Sequence, residues 1–284
     1  MIRHILFPYD FSRQGSEVVP YVRALAAKSN AKVTLFSVVP PVWQLPPAGM
    51  QPIIGPAVPE WVDALQDRLG QLFVDELAGL QVDRVAESGD VALKIVDFAD
   101  ANGVDLIMMP THGLGTFRRY LVGSVTSRVL HTSTCPMWTA EHTEAHEARV
   151  LPQTILCSIG ATPRTPALLR WAAGFAADIG ATLKLLHVVG PITDWPSLQR
   201  ERALQEQIRR EARALIESMQ RSAGLDAPLR VVIGDIVSAA GEEARQENAD
   251  LLIIGRGSVG EPFGRLRTHT FGVIQRSPCP VLSV

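Results

Sequence analysis

Ile5-Leu6-Phe7 returns 150 positions later as Ile155-Leu156-Cys157, and Asn30-Ala31-Lys32-Val33-Thr34-Leu35 returns at the same offset as Gly180-Ala181-Thr182-Leu183-Lys184-Leu185. Val38-Val39 matches Val188-Val189, Gly89-Asp90 matches Gly234-Asp235, Val104-Asp105-Leu106-Ile107 matches Ala249-Asp250-Leu251-Leu252, and Cys135-Pro136 matches Cys279-Pro280. A chain of 284 residues that repeats itself in this order is built from two copies of one unit, each of ordinary domain size. The offset shrinks along the chain because the first copy carries a Pro-rich stretch from Pro40 to Pro59, where the second has only Gly190 to Pro196. The expected domains are residues 1–142 and 152–284, joined by a polar linker over Glu141–Gln153. His142 and His146 in that linker stand four apart but lack the HExxH order of a zinc helix, so the segment reads as solvated.

Within each copy, short runs of Val, Ile and Leu alternate with helical patterns. Ile5–Pro8, Val33–Val38, Leu106–Met109, Ile155–Ser158, Leu183–Val188 and Leu251–Ile254 are rich in Val, Ile and Leu and read as strands buried on both faces. Thr165 is expected to cap a helix with Pro166 at its first position, and Gly180 to end it in the left-handed conformation, with Asn30 in the same role in the first copy. Trp61, Leu65, Leu69, Leu72 and Phe73 form one helical stripe, and Leu204, Ile208, Ala212, Leu215, Ile216 and Met219 form another; both read as core faces. Alternating β and α elements with short connections imply an open parallel sheet covered on both sides. Ligands of such sheets sit beyond the carboxyl ends of the strands, where the strand order reverses.

The residues at those ends therefore matter. After the first strand comes Pro8-Tyr9-Asp10-Phe11-Ser12, whose carboxylate either accepts from a ribose hydroxyl or base amine or caps a turn. After the fourth comes Met109-Pro110-Thr111-His112-Gly113, then nine residues, then Gly123-Ser124-Val125-Thr126. Gly113 lets backbone approach a bulky ligand. Gly123-Ser124 opens a helix whose free first-turn N–H groups form an anion site, with Ser124 either bonding a phosphate oxygen or capping the helix. Arg118 and Arg119 either screen phosphate charge or lie on a solvated loop.

Other chemistries are excluded. There is no GxxxxGK[ST], and Gly113-Leu114-Gly115-Thr116-Phe117-Arg118 breaks the dinucleotide fingerprint at its third glycine. Cys135, Cys157 and Cys279 form no CxxC and read as small apolar residues at strand starts. No metal-ligating cluster, activated nucleophile or carboxylate pair stands out, so no enzyme activity is expected. A formal net charge of -2 provides no basic footprint for nucleic acid, and no apolar run is long enough for a membrane span or reads as a signal peptide. The expected setting is the reducing cytoplasm.

The pattern resembles the universal stress protein family over essentially the whole chain, twice. That family has a five-stranded parallel sheet, Rossmann-like and of the adenine nucleotide alpha hydrolase type, and its ATP-binding members carry G-2x-G-9x-G-[S/T] after the fourth strand. The first copy meets this motif with Gly113, Gly123 and Ser124, but has Pro110 at the first glycine, which removes a backbone donor and fixes φ. The resemblance implies that Pro8, Asp10, Val38 and Met109 face the adenosine, and that His112, Gly113, Gly123, Ser124, Val125 and Thr126 hold ribose and phosphates of ATP, ADP or AMP, with or without magnesium. In the second copy Asp10 becomes Gly160, the motif reads Gly255-Arg256-Gly257-Ser258, and the later glycine-serine becomes Arg267-Thr268 or Thr268-His269. That copy reads as a degenerate, structural half, with Arg256, Arg265 and Arg267 leaving another anion open.

The expected function is a stress-response protein that binds an adenine nucleotide in the first copy and acts by conformation or association. The alternatives are a nucleotide-free interaction scaffold and a slow ATPase or adenylating relative. The Pro40–Pro59 insert, with Trp43, Ile53 and Ile54, is expected to form an apolar lid. The last strands, Pro136–Ala140 and Pro280–Val284, are apolar edges expected to pair with each other as an internal pseudo-dimer, with a further homodimer open.

Overall fold

The computed structural model describes residues 2–41, 58–111, 122–140, 150–190, 198–256 and 269–284. Outside them lie His112, Gly113, Arg118 and Arg119, the insert's Trp43, Ile53 and Ile54, and the linker's His142 and His146. The second copy's Gly257, Ser258, Arg265, Arg267 and Thr268 lie outside as well.

The chain divides into two compact units, Ile2–His142 and Thr143–Val284. The first contains β1 (His4–Pro8), α1 (Arg13–Ser29), β2 (Lys32–Val39), α2 (Val58–Gly70), β3 (Val82–Ser88), α3 (Val91–Ala101), β4 (Leu106–Pro110), α4 (Ser124–Thr132) and β5 (Met137–Ala140). Its strands lie in the order β3-β2-β1-β4-β5, all parallel. The second contains β6 (Thr154–Ile159), α5 (Thr165–Ile179), β7 (Thr182–Val189), α6 (Leu198–Ser222), β8 (Leu229–Ile233), α7 (Ile236–Gln246), β9 (Leu251–Ile254), α8 (His269–Arg276) and β10 (Val281–Ser283). Its order is the equivalent β8-β7-β6-β9-β10, again parallel. In each unit the order reverses beside the first strand, so the crevice expected for a ligand opens between β1 and β4 and between β6 and β9.

The core strands are where the unbroken apolar runs fall. Every residue of β4 and of β9 is buried, as a strand covered by helices on both faces requires. The edge strand β3 escapes that pattern: Val82-Asp83-Arg84-Val85-Ala86-Glu87-Ser88 carries three charged residues and has no fully buried one. The outer edge of β3 is not left open. The Gln66 side chain donates to Arg84 O and accepts from Ala86 N, both at 2.8 Å, which plants α2 on the strand and blunts the edge.

Several repeated residues are structural devices. Asn30 and Gly180 end α1 and α5 with φ of 52° and 78°. Asp90 and Asp235 cap α3 and α7, accepting from Leu93 N at 3.1 Å and Ser238 N at 2.9 Å. The Ser238 backbone bond also holds the Asp235 carboxyl below its ordinary value. Ser133 and Ser277, both buried, accept from Cys135 N and Cys279 N in the turns that lead into β5 and β10.

Asp105 and Asp250 do the same work in the two units. Asp105 Oδ2 accepts from Arg3 N at 2.8 Å and His4 N at 3.0 Å, and Asp250 Oδ2 accepts from Gln153 N and Thr154 N, both at 2.9 Å. Each carboxylate ties the start of the fourth strand to the start of the first, across a pair that fixes the crevice above it. Bonds to a charged acceptor are worth about 1.5–3 kcal/mol when buried, less when solvated. Asp250→Ala is therefore expected to lower the melting temperature by about 3–10 °C in calorimetry, with Asp250→Asn losing less because one acceptor stays. An unchanged transition in the alanine variant would show that the tie contributes nothing.

Four local expectations are corrected. α5 begins at Thr165, but its cap position is Arg164 with no side-chain bond; the Thr165 hydroxyl donates to Gly160 O instead. The stripe through Trp61 and Leu69 does not continue as helix, because α2 ends at Gly70 and Phe73 has φ of 53°, outside any right-handed helix. Leu215 is 45% exposed and lies off the core face of α6, where Ile216 is fully buried. The last two residues of the Pro40–Pro59 insert, Val58 and Pro59, already belong to α2.

Candidate functional site

The parallel register brings the carboxyl ends of β1, β2 and β4 to one edge of the first unit. Pro8 pairs with Phe36, Leu6 with Ile107, and Met109 with Thr139. Pro8 and Met109 are buried at their strand ends, Val38 is half-buried, and Asp10 is exposed just beyond β1. The Asp10 carboxylate turns back on its own loop, where Oδ1 accepts from Ser12 N at 3.0 Å, and Ser12 in turn caps α1 by accepting from Gly15 N at 3.0 Å.

The start of α4 is drawn to the same edge. Gly123 N donates to Thr111 O at 2.7 Å, and the buried Thr126 hydroxyl donates to Pro110 O at 3.1 Å. Gly123 holds the cap position with φ of −58° and ψ of 152°, and no side chain caps the helix. The two roles open for Ser124 are thereby narrowed: it is the first residue of the helix, exposed, and does not cap it. Among the described residues, the amide N–H groups of Ser124, Val125 and Thr126 have no protein acceptor. First-turn N–H groups at the positive end of a helix dipole are chemically suited to an anion. Thr126 offers only its amide, because its hydroxyl is committed to Pro110. Arg128, one turn further on, is held by Asp90 at 2.9 Å.

An aromatic cluster around Asp10 was not anticipated from the sequence. Tyr9 and Phe11 flank it, and their rings are 5.1 Å apart; Phe73 meets Tyr9 edge-on at 5.0 Å. Tyr9 is buried, its hydroxyl bonded to Ser16 Oγ at 2.8 Å and its carbonyl accepting from Ser37 Oγ at 2.8 Å. Gly15 is required beside it, since a Cβ there would lie 2.8 Å from the Tyr9 ring. The Pro-Tyr-Asp-Phe-Ser run held a signal in its two aromatics, but Phe73, which meets the Tyr9 ring, sits in a turn 64 positions after Tyr9, beyond any local pattern.

The second unit departs at each of these points. Gly160 replaces Asp10, Ala161 replaces Phe11 and Ile159 replaces Tyr9. His187 takes the place of Ser37 and its Nδ1 donates to Ile159 O at 2.9 Å. Gly255 stands where the first unit has Pro110, and Leu168 Cδ2 comes within 3.0 Å of the position a Cβ would take there.

The thiols are not part of any reactive centre. Burial pushes Cys157 to about 12, and burial first of all pushes Cys279 to about 12 as well, so neither forms a thiolate near neutral pH. Cys135 Sγ donates to Val104 O at 3.2 Å. Among the described residues no three His, Cys, Asp or Glu side chains gather as a metal site, and no helix is long and apolar enough to cross a membrane.

The model of the universal stress protein family matches residues 1–140 and again 152–284. The chain belongs to the universal stress protein family. A universal stress protein from Synechocystis is 31% identical over 137 residues, spanning 48% of this chain and 84% of that one. One from Mycolicibacterium smegmatis is 26% identical over 294 residues and spans 99% of this chain and 96% of its own, so it is similar across the tandem. A solved universal stress protein from Archaeoglobus fulgidus superposes with a TM-score of 0.71 at 19% identity, covering 99% of this chain and 97% of that one, which shows the shared fold.

Proposed function

We propose that this universal stress protein holds one adenine nucleotide, ATP or its di- or monophosphate, in its first unit and acts through the conformation or association that the bound state favours. The observation that carries the reading is the start of α4, whose first-turn amides find no acceptor among the described residues and which Gly123 and Thr126 tie to the end of β4, beside the carboxylate-bearing end of β1. In this reading Asp10 accepts from the ribose or the base, Pro8, Val38 and Met109 border the nucleoside, the amides of Ser124, Val125 and Thr126 receive the phosphates, and Gly123 leaves room for them. His112 and Gly113 of the motif would complete the phosphate turn. Pro110 supplies no N–H there, so the phosphates depend on the α4 amides. Magnesium, where it accompanies ATP, would ride on phosphate oxygens, since Asp10 is assigned to the nucleoside.

The second unit is read as a non-binding half, because the carboxylate is lost at Gly160 and Arg267-Thr268 or Thr268-His269 stands in place of the glycine-serine. A calorimetric titration with ATP and magnesium is expected to saturate near one equivalent per chain. About two equivalents would show that both copies bind, and no heat or competition by any adenine nucleotide would remove the reading in favour of the scaffold.

The same reading makes the tandem an internal pseudo-dimer through β5 and β10. Each is the terminal strand of its own unit's order, and each is apolar: Met137 and Trp138 in one, Val281 and Leu282 in the other. Strands of this kind are kept from aggregation by being covered.

A further inference from the structure

Asp10 sits in a loop with an unusual backbone. Phe11, the next residue, has φ of 61°, a left-handed conformation that costs a non-glycine residue about 1–2 kcal/mol and persists only where its surroundings enforce it. Two contacts enforce it here, and both come from the segment that follows the long insert. The Arg68 guanidinium carbon of α2 lies 3.8 Å from the centroid of the Phe11 ring, and Phe73 buttresses the neighbouring Tyr9 ring at 5.0 Å. That segment is itself anchored on β3. Gln66 bridges Arg84 and Ala86, and Arg84 Nη2 donates to Leu72 O at 2.9 Å. A rigid frame thus runs from β3 through α2 to the Phe11 ring and to the turn in which Ser12 N donates to Asp10.

The second unit shows what goes when the carboxylate goes. Gly160-Ala161 replaces Asp10-Phe11, so no ring is present for a cation to cover, and neither residue has a positive φ. The strained backbone, the aromatic and the carboxylate occur together or not at all. A purely structural role for Arg68 on Phe11 would give no reason for that coincidence.

We propose that Arg68 is a positioning residue for Asp10: seated on the Phe11 ring, it holds the β1–α1 loop in the left-handed turn that presents the carboxylate to the nucleoside. This rests on the nucleotide reading above for its functional consequence, though not for the clamp itself.

The test combines a ligand-free readout with a binding cycle. In the intact chain without nucleotide, Arg68→Gln is expected to speed amide hydrogen exchange of Ser12 by about two- to five-fold, the factor an exposed cation–π contact is worth, while the Leu6 amide in β1 exchanges as before. Arg68→Lys, which keeps a cation over the ring, should restore most of the protection. ATP affinity should fall by the same factor in Arg68→Gln, and that loss should vanish when Asp10→Ala is already present. Unchanged Ser12 exchange in Arg68→Gln overturns the clamp, and an equal affinity loss with and without Asp10 overturns the positioning role. If the wild-type chain takes up no ATP, the nucleotide reading fails by itself, and Ser12 exchange alone then decides the clamp.

Discussion

Removing Pro280 to Val284 is expected to leave a protein that aggregates or fails to fold its second unit. Val281, Leu282 and Ser283 are 1%, 0% and 1% exposed, and Pro280 is buried beside them. The two apolar side chains contribute about 1.5–3 kcal/mol each, and a domain's whole stability is about 5–15 kcal/mol. The backbone adds to this: Leu252 N donates to Pro280 O at 3.0 Å, Val284 N to Ile254 O at 2.9 Å and Arg256 N to Val284 O at 2.7 Å. Losing the strand also opens the edge of β9, all four of whose residues are buried and apolar, to pairing with other chains. A truncated chain that stays soluble and monomeric with an unchanged melting temperature would refute the strand's contribution and, with it, the proposed pseudo-dimer.

Gly123→Val is expected to weaken ATP binding by about a hundredfold or more while leaving the fold nearly intact. The glycine is not demanded by its backbone: φ of −58° and ψ of 152° suit valine. It also carries no burial, being half-exposed at the cap of α4. What a branched side chain changes there is the approach to the amides of Ser124 and Val125. Two charge-assisted bonds at about 1.5–3 kcal/mol each account for the loss, since 1.4 kcal/mol is a factor of ten. Melting by circular dichroism separates this from unfolding, with a shift of no more than a few degrees expected. Equal ATP affinity in the variant would mean that the phosphates do not sit on this turn.

The fold was legible in the sequence because its determinants are local and were written twice. Six runs rich in Val, Ile and Leu became six central strands within a residue or two at each end, for burial on both faces favours apolar residues along the run. Asn30 and Gly180 announced helix ends, since few residues tolerate a left-handed C-cap, and both have that conformation. The repeated aspartates were visible as a pattern but not as a purpose. That Asp90 and Asp235 cap helices follows from their place before an apolar helical run, whereas that Asp105 clamps the start of β1 depends on a partner 101 or 102 positions away. The edge strands β3 and β8 were less legible, because Asp83, Arg84 and Glu87 in one and Arg230 in the other interrupt the apolar run.

The candidate site divides along the same line. Sequence by itself determined which residue types stand at the ends of β1 and β4, because the motif spacing and the strand pattern are properties of neighbours along the chain. It also determined that the second copy lacks the carboxylate, since Gly160 occupies the position. Only the tertiary structure decided that Ser124 does not cap α4, that the Thr126 hydroxyl is spent on Pro110, and that Leu168 crowds Gly255. Only it placed Arg68 over Phe11 and Phe73 against Tyr9. Hydrogen bonds and ring contacts of that kind are made between segments dozens of residues apart, and their geometry exists only once the parallel sheet has set the strand ends side by side.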